Sequence, residues 1–364
     1  MSPIRVLVVD DSALMRKLIP QILQKDASIQ VIGTAMDGNF GLKKIGELKP
    51  EVVTLDLEMP GMGGLDMLKE IMRRYRLPVI VVSSHSTEGA SVTLKALALG
   101  AFDFVAKPHD VWARMPEVAS ELISKIKAAA QSAGVKVAPV ANALPRIEKS
   151  VANTKREPSR VVAIGVSTGG PNAIQFLLSQ LPSDFPGSLL IVQHMPEGFT
   201  EMFARRLDEI CRIPVKEAQS GDLLLAGRAL ICPGNRHMKM KRLPLGNVAV
   251  LGDEPKVNGH RPSVDVLFKS LAEEFGPNGI AVLMTGMGDD GAQGLGTVKA
   301  AGGVTIAQSE ESCVVFGMPK AAIERGFVNR VVALDAMAHT LQALCIADRR
   351  DGQEESSKGM GAGI

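Results

Sequence analysis

The sequence is poor in aromatic residues and in closely spaced cysteines. Aromatic residues make up 4 % of the 364 residues, with one Trp and one Tyr, which argues against stacking on single-stranded nucleic acid. The 4 cysteines include no CxxC pair, so the sequence predicts neither a metal site built on cysteine nor a disulfide framework.

Long apolar runs and an excess of one charge are also missing. No apolar run approaches the roughly 20 residues of a membrane span, and the first residues show no secretory-signal pattern. Lys plus Arg number 41 and Asp plus Glu 39, a balance that does not indicate a nucleic-acid or membrane-surface protein. We therefore expect a cytoplasmic protein with no nucleic-acid partner and no direct membrane insertion.

The length favours two domains. In the first third, short apolar runs alternate with helical patterns in five units, which predicts a doubly wound, flavodoxin-like α/β domain. A segment rich in Ala, Pro, Lys and Ser follows, and then a second Gly-rich α/β pattern. The predicted divisions are a first domain over 1–125, a linker over 126–158, a second doubly wound parallel α/β domain over 159–348, and a disordered tail over 349–364.

Carboxylates follow the predicted strands of the first domain. Asp10 and Asp11 come after the first strand and Asp56 after the third, while Ser83 and Lys107 end the fourth and fifth. Strand ends of a parallel sheet share one edge, where three like charges repel unless a cation neutralises them. Mg²⁺ prefers such oxygen ligands. The combination favours phosphoryl transfer onto Asp56 over a set of unrelated helix caps.

Residues 1–125, with Lys107-Pro108, resemble the receiver domain of bacterial two-component response regulators. The resemblance implies that Asp56 is phosphorylated and that Asp11, Asp56 and the backbone carbonyl of Glu58 bind Mg²⁺, with Asp10 nearby. It also implies that Ser83 hydrogen-bonds the phosphoryl group and that Phe104 changes rotamer. Gly63 stands where the family often has Asp or Asn, which removes no ligand.

A serine hydrolase pattern is present in the second domain. Gly165-Val-Ser-Thr-Gly169 lies between a predicted strand and a helix, as a serine nucleophile requires, although plain turns and phosphate-binding loops share this pattern. Of the six histidines, His194 is best placed, at the end of the next strand. Asp289 or Asp290, after a later strand, completes a Ser-His-Asp set. The order differs from that of α/β-hydrolases, so a lipase-type fold is not expected.

Longer motifs make the chain resemble the bacterial chemotaxis methylesterases of the CheB family over residues 3–345. They include Ser167-Thr-Gly-Gly170, Gln193-His-Met-Pro196, the segment 260–268, Leu283-Met-Thr-Gly-Met-Gly288 and the segment 313–319. The resemblance implies a triad of Ser167, His194 and Asp290, with the Met287 amide near the oxyanion. Thr168 and residues 260–265 would line the cleft.

The same resemblance implies an activity and its partners. The activity is hydrolysis of glutamate methyl esters and deamidation of glutamines on methyl-accepting chemoreceptors, with no cofactor for the esterase chemistry. A chemotaxis histidine kinase would be the phosphodonor, and phosphorylation of the receiver would open the catalytic cleft. A response regulator with a second domain that only binds, and a regulated protease or lipase, are the alternatives. We expect a monomer.

Overall fold

We describe a computed structural model of the chain. The structure describes residues 2–84, 86–107, 111–132 and 156–359, and only the backbone over 111–117 and 347–359. The chain divides into two compact units, Met1–Asn142 and Ala143–Ile364. Pro108 and most of the predicted linker, residues 133–155, lie outside the described residues.

The first unit is built on a parallel five-stranded sheet. Its strands are β1 (Ile4–Val9), β2 (Ile29–Ala35), β3 (Val52–Asp56), β4 (Val79–Ser83) and β5 (Asp103–Ala106), in the order β2-β1-β3-β4-β5. Five helices alternate with them: α1 (Ala13–Leu23), α2 (Gly38–Leu48), α3 (Gly64–Arg74), α4 (Thr87–Ala98) and α5 (Val111–Gln131). Helix α1 packs beside α5, and α3 contacts both α2 and α4. This is the predicted flavodoxin-like fold.

Short side chains start the helices next to the strand ends. Ser12 accepts a hydrogen bond from the Met15 amide, as the N-cap of α1 should. Ser86 caps α4 in the same way through Gly89, so α4 begins at Thr87.

The second unit contains a parallel seven-stranded sheet and a hairpin. The sheet strands are β6 (Val161–Val166), β7 (Ser188–Gln193), β8 (Val215–Glu217), β9 (Arg228–Ile231), β12 (Gly279–Leu283), β13 (Val304–Gln308) and β14 (Arg330–Val332). Their order is β14-β13-β12-β6-β7-β9-β8. Strands β10 (His237–Leu243) and β11 (Gly246–Gly252) form the antiparallel hairpin. The helices are α6 (Gly170–Gln180), α7 (Phe199–Ile210), α8 (Val264–Phe275), α9 (Ala292–Ala300), α10 (Met318–Glu324) and α11 (Leu334–Gly359).

The central strands β6, β7 and β12 are buried along their whole length, which explains their uninterrupted apolar sequences. Helices α8 and α9 and the hairpin contribute residues to one core cluster against them. Gly165 lets α8 approach the end of β6, because a Cβ there would lie 2.1 Å from Val264 Cγ1. The start of α8 is therefore held close to the carboxyl end of the sheet.

The segment after Arg349, which the sequence predicts to be disordered, is described by its backbone alone as far as residue 359. Helix α11 continues to Gly359, through a stretch whose Gln, Glu and Lys residues have good helix propensity although they lack an apolar stripe. No helix in the described part of the chain is both long enough and apolar enough to cross a membrane.

Candidate active site

Three neighbouring strands of the second sheet bring Ser167, His194 and Asp290 to one edge. Strand β6 pairs with both β7 and β12. Val166 pairs with Gln193, so the next residues, Ser167 and His194, continue from adjacent register positions. The His194 amide donates to the Val166 carbonyl at 3.1 Å. Residues 285–291 follow β12, and the Ser167 amide donates to the Thr285 carbonyl at 3.0 Å.

His194 is bonded to a carboxylate through one ring nitrogen only. Its Nε2 lies 2.8 Å from Asp290 Oδ2. An ionised carboxylate only accepts, so Nε2 carries the proton and Nδ1 presents its lone pair. Nδ1 is buried and has no hydrogen-bond partner among the described residues. It is the ring atom able to take a proton.

Asp290 is buried at 1 % exposure and receives three further hydrogen bonds. Val264 N donates to Oδ2 at 2.7 Å, while Ser263 Oγ and Asp265 N donate to Oδ1 at 2.8 and 3.2 Å. Burial raises the pKa of Asp290, but the bonds from His194, Val264 and Ser263 outweigh it and hold the pKa below its usual value. Asp290 therefore stays ionised beside the imidazole.

Ser263 lies at the start of α8 and contacts Asp290. It occupies the N-cap position of α8 and makes no side-chain cap bond, while its hydroxyl donates to Asp290 Oδ1. The first amides of α8 donate to the carboxylate of Asp290, which follows β12 and comes later in the chain than α8. Asp289, the other candidate acid, is exposed and pairs with Arg325 at 2.6 Å.

The backbone near Ser167 is crowded by close contacts. A Cβ on Gly286 would lie 2.8 Å from Ser167 Cβ, so Gly286 allows residues 285–291 to reach the serine. Met287, next along, is half-buried. Thr168 is buried, and its carbonyl accepts from Thr285 Oγ1 at 3.0 Å. Gln193, which sequence reasoning did not single out, donates to the Ser167 carbonyl at 3.0 Å and to the His194 carbonyl at 3.1 Å.

In the first unit, Asp10, Asp11 and Asp56 lie close together. Ligand oxygens of Asp10, Asp11 and Asp56 lie within 4.8 Å of one another. Lys107 Nζ lies 2.6 Å from Asp56 Oδ2 and 3.1 Å from Asp10 Oδ2. The second contact lacks hydrogen-bond geometry, so Asp10 Oδ2 is a buried oxygen without a hydrogen-bond partner.

The charges at this edge do not balance. Burial raises the pKa of both Asp10 and Asp56 against the attraction of Lys107. Burial lowers the pKa of Lys107, but the two carboxylates reverse this and raise it. The Lys107 ammonium and the Arg16 guanidinium, which donates to the Asp10 and Asp11 carbonyls at 2.9 and 2.7 Å, face three carboxylates. The buried Asp10 Oδ2, which has no hydrogen-bond partner among the described residues, fits a hard divalent cation.

The other predicted receiver residues are nearby but not all bonded to Asp56. The Ser83 hydroxyl donates to the Gly89 carbonyl at 3.2 Å. Glu58 N donates to Asp56 Oδ1 at 3.1 Å. Phe104 is buried, and Lys125 of α5 donates to its carbonyl at 2.6 Å while lying 5.3 Å from its ring centroid. Sequence reasoning missed Lys125 because this contact joins positions that only the fold brings together.

The fold and these two sites define a response regulator whose receiver domain is followed by an α/β output domain of the hydrolase type. Residues 6–114 match the family described as the response regulator receiver domain, and residues 162–341 match CheB methylesterase. The chain belongs to the CheB methylesterase family.

Individual relatives agree with this assignment. A protein-glutamate methylesterase/protein-glutamine glutaminase of Koribacter versatilis is 63 % identical over 96 % of this chain and 98 % of its own length. One from Pyrococcus horikoshii is 44 % identical over 93 % of this chain and 92 % of its own. The crystal structure of the Thermotoga maritima CheB methylesterase catalytic domain aligns with a TM-score of 0.50 and 40 % identity, covering 51 % of this chain and 98 % of that one.

Proposed function

We propose that the chain is a cytoplasmic protein-glutamate methylesterase and protein-glutamine deamidase. Its substrates are the methylated glutamates and particular glutamines of methyl-accepting chemoreceptors. The main observation in support is the ionised, buried Asp290 bonded to His194 Nε2, which leaves Nδ1 as a base on the strand next to Ser167. The names of relatives that cover nearly the whole chain support the substrate.

The chemistry needs only these side chains. Ser167 Oγ attacks the side-chain carbonyl carbon of the substrate as its proton moves to His194 Nδ1. The Met287 amide stabilises the oxyanion, with Thr168 beside the nucleophile. The protonated His194 returns its proton to the departing methoxide or amide nitrogen, so methanol or ammonia leaves. Water then attacks the acyl-enzyme with His194 again as base, which releases glutamate and restores Ser167.

The receiver domain regulates this reaction in our proposal. Asp10, Asp11, Asp56 and the Glu58 carbonyl would hold Mg²⁺, which would supply charge neutralisation when a phosphoryl group passes from the phosphohistidine of a chemotaxis histidine kinase to Asp56. Lys107 and the Ser83 hydroxyl then bind the phosphoryl group, and Phe104 changes position. The added charge of about −1.5 to −2 at Asp56 biases a two-state surface that controls access to Ser167.

Methanol release from methylated chemoreceptor tests the proposal. Wild-type protein should release methanol, and Ser167→Ala should release none above background. Ser179→Ala is a matched control, because that serine lies late in α6 and its hydroxyl donates within its own helix, to the Phe176 carbonyl at 2.8 Å. Turnover by the Ser167 variant would remove the assignment.

A second arm tests regulation. A small phosphodonor with Mg²⁺ should raise the turnover of the wild type and leave that of Asp56→Asn unchanged. Equal turnover with and without the phosphodonor in the wild type would contradict the regulatory part alone.

A further inference from the structure

A second histidine lies flat against His194. The ring centroids of His194 and His260 are 4.0 Å apart, and the two planes differ by 3°. We infer that His260 is a positioning residue, which holds the plane of the His194 ring so that Nδ1 faces the serine hydroxyl. This inference rests on the proposed role of His194 as the base.

A tight turn places His260. Asn258 and Gly259 both have positive φ, at +50° and +78°, which is the geometry of a type I′ turn and suits an Asn-Gly pair. Val257 and His260 exchange backbone hydrogen bonds of 3.0 and 2.9 Å across it. The backbone of His260 is thus fixed by local structure before its ring meets His194.

Hydrogen bonds join the turn to the start of α8 through Asn258 and to the residues that flank the hairpin through Arg261. Asn258 Nδ2 donates to Asp265 Oδ2 at 2.7 Å, and the Asp265 amide is one of the donors to Asp290. On the other side, Arg261 donates to Asn235 Oδ1 at 2.8 Å and to the Asp253 carbonyl at 2.9 Å. The loop that carries His260 is therefore linked to Asp290 through Asp265, and to the residues that flank the hairpin through Arg261.

The stack supplies a constraint that the hydrogen bond lacks. The bond from Nε2 to Asp290 fixes one atom of the His194 ring, but the ring can still swing about that bond and its own Cβ–Cγ axis. Within the described part of the chain, Nδ1 makes no hydrogen bond that would oppose this motion. A parallel ring at 4.0 Å opposes it, because a swing would separate the faces on one side and drive them together on the other. Small errors in the placement of a base reduce the rate steeply.

Substitutions of His260 test whether its ring positions His194. His260→Ala removes the stacking face, His260→Phe keeps a flat ring, and His339→Ala alters an exposed histidine of the same domain. Two readouts are needed in the full chain: kcat and KM for methanol release from methylated receptor, and the rate at which a fluorophosphonate labels Ser167. The second reports the base without involving receptor binding. Circular dichroism and melting curves confirm that each variant is folded.

We expect His260→Ala to lower kcat and the labelling rate about tenfold with KM unchanged. His260→Phe should recover most of both, and His339→Ala should match the wild type. Wild-type kcat in His260→Ala would overturn the inference, as would a Phe variant no better than the Ala variant or an effect confined to KM. The inference fails alone if Ser167→Ala is inactive, whereas turnover by Ser167→Ala overturns the proposed function itself.

Discussion

Replacement of Asp290 by asparagine should damage both the reaction and the stability of the second domain. Four donors converge on this carboxylate, two at each oxygen. An asparagine offers one carbonyl oxygen and one NH₂ group in the same space, so the NH₂ must face two of these donors. The magnitude depends on which oxygen the NH₂ replaces.

Both orientations are costly, for different reasons. With the NH₂ at Oδ1, the Ser263 hydroxyl can turn to accept, but the Asp265 amide loses its partner, and the uncharged side chain no longer stabilises the imidazolium that His194 becomes during the reaction. With the NH₂ at Oδ2, the Val264 amide loses its partner and His194 must place its proton on Nδ1, which removes the base. A buried unpaired amide costs about 1–3 kcal/mol, and loss of a general base costs about 10²–10⁴ in rate. We expect a melting temperature several degrees lower and kcat reduced by roughly 10³.

The assays are methanol release from methylated receptor and calorimetry, with Asp289→Asn as the control. Asp289 is the neighbouring, exposed acid and pairs only at the surface with Arg325, so its variant should lie close to the wild type. Because the pKa of Asp290 is lowered in the folded protein, its contribution is present at neutral pH and is lost as the pH falls below about 4. Near-wild-type kcat in Asp290→Asn, or a stability gap that does not shrink on acidification, would refute the reasoning.

Three further outcomes follow from the described contacts. Burial raises the pKa of the Asp10 carboxyl in the folded protein, so its ionised form destabilises the fold at pH values above the unfolded pKa. Calorimetry without Mg²⁺ should therefore show a higher melting temperature for Asp10→Asn than for the wild type. The same variant should bind Mg²⁺ more weakly in titration calorimetry. Gly259→Ala should lower the free energy of unfolding by about 1 kcal/mol, because Ala is strained at a positive φ, and it should also lower kcat for methanol release. Gly326 has a φ of +71° and equally open space around it, so Gly326→Ala should lower the stability measured by calorimetry and leave kcat unchanged.

The sequence predicts the parts of this molecule that depend on local pattern. Apolar runs mark the strands of both sheets, and the residues after them identify Asp10, Asp56, Ser167 and His194. Spacing alone does not choose between Asp289 and Asp290. The structure separates the two by burial, since donors from the start of α8 converge on Asp290 while Asp289 pairs with Arg325 in solvent.

Contacts between distant segments are what local patterns omit. The Asn258-Gly259 pair is a recognisable turn signal, but nothing nearby indicates that the next ring stacks on His194. Ser263 precedes helix α8, a position typical of an N-cap, but its hydroxyl donates to the carboxylate of Asp290. Lys125 lies on a helix face whose partner, the Phe104 carbonyl, is known only once α5 packs on the sheet.

The dependence of helix α8 on Asp290 bears on how the protein is made. The first amides of α8 are satisfied by a side chain that follows them by 25 or 26 positions. A ribosome that has released only the residues up to α8 presents a helix start without its acceptor and a histidine without its acid. The start of α8 and the side chain of His194 therefore gain their acceptor only after residue 290 has been synthesised, so this corner of the fold is completed late.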